Sequence, residues 1–174
     1  MWRQLDHWDQ ALMRQLQHLP QLNWWRTGAR WLSLSGDGGG YLLLTLLLAL
    51  LGGDHGRLFL QLALIAFAIE LPLYWLLKNT LKRARPCHAL SDVVLLFKPH
   101  DQFSLPSGHS AAAVLFASLL GWYWPPLMLL AFAWAALVAL SRVVLGVHYL
   151  SDVLAGALLG MLAAQLSFWL MGQH

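Results

Sequence analysis

Three chemically distinct side chains stand close together in residues 141–152: the cation Arg142, the imidazole His148 and the carboxylate Asp152. His148 and Asp152 are four residues apart, so on one face of a helix the carboxylate can hold a ring N–H. That contact would fix the tautomer and leave the second ring nitrogen to attack an electrophile or to exchange a proton. The alternative is a polar loop at a membrane surface, with Asp152 as the N-cap of the next helix.

A second motif, residues 104–110, opens directly into an apolar segment. Gly108 lets a ligand approach the backbone closely, and a helix start offers unpaired N–H groups at the positive end of its dipole. Ser107 can cap this helix or donate to an oxyanion, and His109 is placed as a general acid for a leaving oxygen. The alternative is a serine N-cap followed by an interfacial histidine.

Residues 78–86 carry the third set of polar groups. Lys78 and Arg85 are two helical turns apart, so both can face the same anion. Arginine presents a fork that matches phosphate oxygens, and lysine adds a point charge. An ordinary basic segment beside a membrane helix is the alternative.

Together the three motifs supply one lysine, two arginines, a helix N-terminus and two histidines, which suits a phosphoryl group. No carboxylate cluster accompanies them to hold Mg²⁺, so we expect neither a metal nor another cofactor. The metal-like alternative is a set in the long polar loop, comprising His88, Asp92, His100 and Asp101.

The elements that must position these residues are membrane helices. The 174 residues are 59% hydrophobic and only 11% charged, and they include ten tryptophans. Apolar runs of membrane-spanning length then predict an all-α, integral membrane helical bundle. The net charge of +3 is small and the cations form no stripe, so no nucleic-acid partner is expected. The single Cys87 permits no internal disulfide.

Residues 1–36 are expected to form an interfacial amphipathic arm, because leucine and tryptophan recur there at spacings of three and four. Residues 37–174 are expected to form the transmembrane domain, with Asp37 as the first N-cap and residues 54–57 as a tight turn. Five spans are predicted, at about 38–53, 58–77, 109 to the 122–126 aromatic belt, 127–140 continuing towards 145, and 152–171. Glu70 is expected to be a hydrogen-bonded carboxyl inside the second span, and a proton-relay group is the alternative. Gly156, Gly160 and Ala164 give the fifth a small-residue edge.

Span counting predicts that the three motifs converge. The segment after span two, the start of span three, the end of span four and the start of span five must lie on one membrane face. These are the places where the polar motifs stand.

The three motifs, in this order, resemble the type 2 phosphatidic acid phosphatase family. They read Lys78-x6-Arg85-Pro86, Pro106-Ser107-Gly108-His109 and Ser141-Arg142-x5-His148-x3-Asp152. This family is the membrane lipid-phosphatase branch of a superfamily that also contains bacterial class A acid phosphatases and vanadium haloperoxidases. The resemblance covers about residues 38–171. Many members have six spans, against the five predicted here.

The resemblance implies a phosphohistidine on His148, with Asp152 as its orienting carboxylate. His109 would protonate the leaving group and then activate water. The expected ligands of the phosphoryl oxygens are Lys78, Arg85, Ser107, Gly108 and Arg142. The expected substrate is a lipid phosphate or diphosphate such as undecaprenyl diphosphate, phosphatidylglycerol phosphate, phosphatidate or lipid A 1-phosphate. A vanadate-dependent haloperoxidase and a non-catalytic lipid-binding or lipid-transporting protein of the same fold are the alternatives.

Two arguments conflict over which membrane face carries the site. With five spans, every lysine and arginine except Arg57 falls on the site face, which by the positive-inside rule would be cytoplasmic. The resembling bacterial family works mostly on the outer side, and an interfacial arm can hold arginines against anionic headgroups of either leaflet. We expect a bacterial inner-membrane protein with its site facing the periplasm.

Overall fold

The computed structural model describes residues 2–18, 23–90 and 101–173. These residues form eight α-helices and one 3-10 turn at Pro125–Leu127. The helices are α1 (Trp2–His18), α2 (Asn23–Ser35), α3 (Gly38–Leu51), α4 (Gly53–Leu81), α5 (Pro86–Ala89), α6 (Gly108–Tyr123), α7 (Met128–Val144) and α8 (Leu150–Leu170). The predicted all-α membrane bundle is confirmed.

Within the described residues, three stretches are long and apolar enough to cross a bilayer: α4, Pro125–Val144 and α8. The helices α2 and α3 meet at a bend of 51°, and together they have the length and composition of a broken span or of a re-entrant loop. The remaining predicted span, α6, has 16 residues, fewer than the roughly 20 that a 30 Å hydrocarbon core requires. All five predicted apolar segments are therefore helical and in order, but only three of them reach spanning length as single helices.

The connection between the first two predicted spans differs from expectation. Residues 54–57 belong to α4 and are not a tight turn, because the chain reverses one step earlier, at Gly52 and Gly53. Gly53 has φ +58°, which glycine adopts without strain. A Cβ on Gly56 would collide with the carbonyl oxygen of Leu48, so glycine is what lets α3 and α4 pack this closely.

Helix α6 lies at the centre of the bundle and packs against α4, α7 and α8. A Cβ on Gly156 or Gly160 would collide with the backbone carbonyl of Ser107 or Ala111 respectively. The predicted small-residue edge of α8 is thus the surface that admits α6. Glu70 on α4 is buried, but its Oε2 has no hydrogen-bond partner among the described residues, so the expected bonding of this carboxyl is not complete.

The N-terminal helices rest on the bundle. Met13 of α1 is 1% exposed and packs in one cluster with Leu90, Val143, Tyr149 and Val153. Other arm side chains, Trp8 among them, are exposed. The arm is therefore amphipathic as expected, but its apolar face covers the end of the bundle that carries the polar motifs. Its location in the membrane interface stays a prediction.

Candidate active site

Backbone hydrogen bonds join the three polar motifs to one another. Ser104 N donates to Arg83 O (2.8 Å), and Ala84 and Phe103 form an antiparallel bridge beside this bond. Ser107 N donates to Asp152 O (3.0 Å). The predicted convergence of the motifs is thus built into the main chain.

His148 lies in the joint between α7 and α8 and is 2% exposed. Arg142 O accepts hydrogen bonds from the backbone N–H groups of Val147 (3.2 Å) and His148 (3.3 Å), which fixes the joint to the end of α7. The Arg85 Nη1 atom lies 3.2 Å from His148 Nε2. A guanidinium only donates, so this contact requires an Nε2 lone pair and places the ring proton on Nδ1.

The charge state of His148 follows from its surroundings. Burial lowers the pKa of His148 to about 3, and the adjacent Arg85 also lowers it, while Asp152 acts in the opposite direction. The imidazole is therefore neutral at physiological pH. A neutral ring with its Nε2 lone pair beside a guanidinium is the form required of a nucleophile.

Asp152 is fully buried and combines both roles considered from the sequence. Its Oδ2 accepts a hydrogen bond from Tyr149 N (2.8 Å) and completes a capping box at the start of α8. The same Oδ2 lies 3.7 Å from His148 Nδ1, an ion-pair distance longer than a hydrogen bond. Its Oδ1 accepts from Arg83 Nη1 (2.7 Å). The carboxylate is thus fixed in place and faces the ring without a direct hydrogen bond.

Arg83 is a site residue that sequence reasoning missed. Its Nη1 donates to Asp152 and to Ser151 Oγ (2.7 Å), and its Nη2 donates to Asp6 (2.6 Å) and Asp9 (2.8 Å) of α1. Burial alone would lower the pKa of Arg83, but the carboxylates, Asp152 foremost, raise it above its ordinary value. The guanidinium therefore links the N-terminal arm to Asp152. The sequence offered only its place in a basic run.

Lys78 and Arg85, the two predicted anion ligands in residues 78–86, do meet. Both bind one carboxylate: Lys78 Nζ donates to Asp101 Oδ2 (2.8 Å), and Arg85 Nη2 donates to Asp101 Oδ1. Tyr74 OH donates to the same Oδ2 (2.9 Å). Burial would raise the pKa of Asp101, but the hydrogen bonds from Lys78 and Arg85 lower it to about 2. The Asp101 carboxylate is therefore the anion that Lys78 and Arg85 bind in this structure, in the place where a phosphoryl oxygen was expected.

The second motif forms the start of α6 as predicted. Ser107 is the N-cap, and its Oγ accepts from Ser110 N (3.4 Å) and Ser110 Oγ (3.0 Å). The ring of Tyr74 lies so close to Gly108 that a Cβ there would be 3.0 Å from two ring carbons. His109 Nε2 lies 2.9 Å from Asp37 Oδ1. Asp37 occupies the N-cap position of α3 as expected, but its side chain makes no capping hydrogen bond.

Arg142 is 3% exposed, and its Nη1 donates to Ser33 Oγ of α2.

No group of three or more His, Cys, Asp or Glu side chains that could hold a metal ion occurs in the described part of the chain. Asp92 and His100 of the metal-like alternative lie outside the described residues.

A cavity of about 550 Å³ lies between α3, α4 and the start of α6. His109, Asp37, Gly108 and Tyr74 line it together with apolar side chains that extend along α4 to Leu60. From Tyr74 to Leu60 a helix rises by roughly 21 Å, so the cavity runs from the polar site into the apolar part of the bundle.

The fold and the site define a helical membrane protein with buried cations and a buried histidine where its polar motifs meet, and with a second histidine that lines an apolar cavity. Residues 55–174 match the sequence model of the PAP2 superfamily, and the chain belongs to that superfamily.

Several named relatives are similar to this chain. The Bacillus licheniformis protein "Bacitracin transport permease protein BcrC" is 36% identical over 65% of this chain and 56% of its own length. The Sulfolobus acidocaldarius "Undecaprenyl-diphosphatase" is 35% identical over 55% of this chain and 47% of its own length. The Rhizobium johnstonii "Lipid A 1-phosphatase" is 37% identical over 49% of this chain and 36% of its own length. The matches thus span about half of these curated relatives or less.

Two crystal structures are similar over nearly the whole fold. Aquifex aeolicus LpxE superposes with a TM-score of 0.81 at 26% identity, covering 91% of this chain and 93% of that one. A transmembrane PAP2 type phosphatidylglycerolphosphate phosphatase from Bacillus subtilis superposes with a TM-score of 0.79 at 27% identity, covering 97% and 87%.

Proposed function

We propose that this protein is an integral membrane phosphatase that removes the terminal phosphate from a lipid phosphate or diphosphate through a phosphohistidine on His148. The observation that carries the proposal is the neutral, buried His148, whose Nε2 lies 3.2 Å from the Arg85 guanidinium. Membership of the PAP2 superfamily and the phosphatase names of several relatives support the same reaction.

The reaction balances with the residues present. His148 Nε2 attacks phosphorus while the bond to the leaving oxygen breaks, and His109 gives that oxygen its proton. Water then attacks the phosphohistidine, His109 takes the proton from the water, and the N–P bond breaks to release phosphate. The proposed ligands of the phosphoryl oxygens during both steps are Lys78, Arg85, Arg142 and the α6 N-terminus at Ser107 and Gly108.

A lipid substrate suits the cavity that starts at His109. Its walls are mostly apolar and it follows α4 into the bundle, so a hydrocarbon chain could lie there while its phosphate stays among the cations. Exposed leucines cover α3 and α4 on the side towards the bilayer, including Leu43, Leu64 and Leu71. The proposed setting is a bacterial inner membrane, with the site facing the periplasm.

Phosphate release by purified protein tests the reaction. The substrates are undecaprenyl diphosphate, phosphatidylglycerol phosphate, phosphatidate and lipid A 1-phosphate in matched detergent micelles. We expect turnover of at least one lipid, retained in the presence of a chelator, inhibited by vanadate and lost in His148→Ala. Absence of phosphate release from all four lipids, or full activity in His148→Ala, would contradict the proposal.

Thiol labelling tests the orientation. His88 is exposed on the site end of the molecule, and a Cys87→Ser, His88→Cys variant carries one cysteine there. In intact spheroplasts, a membrane-impermeant maleimide should label this cysteine. Labelling that requires an opened membrane would place the site in the cytoplasm.

A further inference from the structure

The side chain of Asp37 contacts a distant histidine and not its own helix. It stands at the N-cap position of α3, where an aspartate normally accepts a hydrogen bond from its own helix, yet it makes no such bond. Its Oδ1 lies instead 2.9 Å from Nε2 of His109, 72 residues further along the chain. The carboxylate is therefore committed to the second histidine of the site.

The backbone holds Asp37 firmly at this place. Asp37 N donates to Leu34 O (3.1 Å), and Gly36 N donates to Ser33 O (3.1 Å), so the bend between α2 and α3 is closed by hydrogen bonds. Gly36 packs against α7 so closely that a Cβ there would lie 2.7 Å from Val138 Cγ1. The bend is thus fixed against the bundle, and it delivers Ser33 to Arg142 as well as Asp37 to His109.

We propose that Asp37 is the positioning residue of the acid–base histidine, a role that rests on the function proposed above. The Asp37 carboxylate accepts the Nε2–H hydrogen bond, fixes the ring of His109 and stabilises its protonated form. Proton exchange with the substrate is then carried by Nδ1. The imidazolium gives the Nδ1 proton to the leaving oxygen as the P–O bond breaks, and the neutral ring takes a proton from water in the second step.

This assignment gives the site two histidine–aspartate pairs with different tasks. Asp152 faces the proposed nucleophile from within α8, whereas Asp37 reaches the proposed acid–base from a segment outside residues 55–174, the part matched by the superfamily model. The N-terminal segment therefore contributes to catalysis and does more than cover the bundle.

Leaving-group dependence separates this role from a merely structural one. An alkoxide needs a proton as it leaves, whereas p-nitrophenolate is a stable anion that does not. The value of kcat/KM reports the steps up to the first irreversible one, here formation of the phosphohistidine. Phosphatidate and p-nitrophenyl phosphate are therefore compared in the same detergent with wild type, Asp37→Asn, Asp37→Glu and a control, Asp54→Asn. Asp54 is 94% exposed at the start of α4 and pairs only weakly, at 3.7 Å, with Arg57.

We expect Asp37→Asn to lower kcat/KM for phosphatidate by about 100-fold, the lower end of the general-acid effect. For p-nitrophenyl phosphate we expect less than about a threefold loss on the same reasoning. Asp37→Glu should retain a ratio between the two substrates close to that of wild type, and Asp54→Asn should match wild type on both. An equal loss on both substrates in Asp37→Asn, or no loss on either, would overturn the assignment.

Two further outcomes are distinguishable. Wild type that hydrolyses neither compound nor any lipid of the panel refutes the proposed function, and the role of Asp37 with it. If Asp37→Asn does not fold, as judged by its melting temperature, Asp37→Ser decides, because serine also lacks the carboxylate and suits an N-cap position. A ratio shifted towards p-nitrophenyl phosphate, with unchanged vanadate inhibition, supports positioning, and an unshifted ratio refutes it.

Discussion

Replacement of Arg83 by glutamine isolates the link between the N-terminal arm and Asp152. The Arg83 side chain is only 10% exposed and donates to three carboxylates, one of which, Asp152, is fully buried. Removing one partner of a buried ion pair costs about 3–5 kcal/mol, because the remaining charge is left without compensation. Asp152 would keep its bond from Tyr149 N, so we expect the lower end, about 3 kcal/mol.

The loss should appear in both stability and turnover. For a protein of this length, about 1 kcal/mol shifts Tm by roughly 2–4 °C, so Arg83→Gln should melt about 6–12 °C below wild type. Phosphate release should fall more than binding of vanadate, since Asp152 faces the proposed nucleophile and Arg83 is not among the proposed phosphoryl ligands. Intrinsic tryptophan fluorescence during heating and steady-state phosphate release measure the two effects.

The neighbouring exposed Lys82 supplies the control, because Lys82→Gln removes the same charge without breaking a buried contact. Arg83→Lys keeps the charge but cannot reproduce the fork that binds Asp152 and Asp9 together, so it should lie between Arg83→Gln and wild type. An Arg83→Gln variant that melts within about 2 °C of wild type, the shift expected for a loss of only about 1 kcal/mol, and that turns over normally would refute the reasoning.

Two other variants probe the site and its support. Asp101→Asn should lower the KM for substrate and the inhibition constant of vanadate by up to about fivefold. The reason is that a phosphoryl group would no longer compete with a carboxylate for Lys78 and Arg85. Weaker inhibition by vanadate would show that Asp101 instead holds these two cations in place. The folded-state pKa of Asp101 is lowered to about 2, so its ion pairs with Lys78 and Arg85 stabilise the fold above about pH 4. This stabilisation is lost as the pH falls towards 2. The Tm values of wild type and Asp101→Asn should therefore converge across that pH interval. Gly160→Ala should lower the free energy of unfolding by about 1–3 kcal/mol, because the new Cβ would collide with the Ala111 carbonyl and push α6 away from α8. Gly39→Ala is the control and should leave stability unchanged, because no atom lies within 4 Å of its Cβ position. Equal melting temperatures of the two variants would contradict this packing.

The sequence was sufficient to predict the bundle and the convergence of its polar motifs. Apolar runs locate the membrane helices, and the alternation of faces along successive spans brings residues 78–86, 104–110 and 141–152 to one end. The structure shows how this happens at the level of single bonds, from Ser104 to Arg83 and from Ser107 to Asp152. Helix lengths were less predictable, since a break at Gly52 and Gly53 depends on how closely α3 and α4 pack.

The partners of the cations and histidines could not be predicted from the sequence. Asp6 and Asp9 stand in the arm, where periodicity indicates an amphipathic helix but not what that helix contacts, and the position of Asp37 indicates an N-cap but not a contact with His109. Which carboxylate reaches Arg83 or His109 depends on how α1 and the α2–α3 bend dock on the bundle. Asp101 lies in the long polar loop, whose position no repeat of apolar residues constrains.

The central claim is that phosphate passes through a covalent bond to His148. Wild-type protein is mixed with phosphatidate carrying ³²P and quenched within the first turnover in alkali, because phosphohistidine is stable there and labile in acid. We expect protein-bound label in a peptide containing His148, which disappears on a chase with unlabelled substrate and is absent in His148→Gln. Continued turnover by His148→Gln, or phosphate release by wild type with no label on His148, would contradict the account.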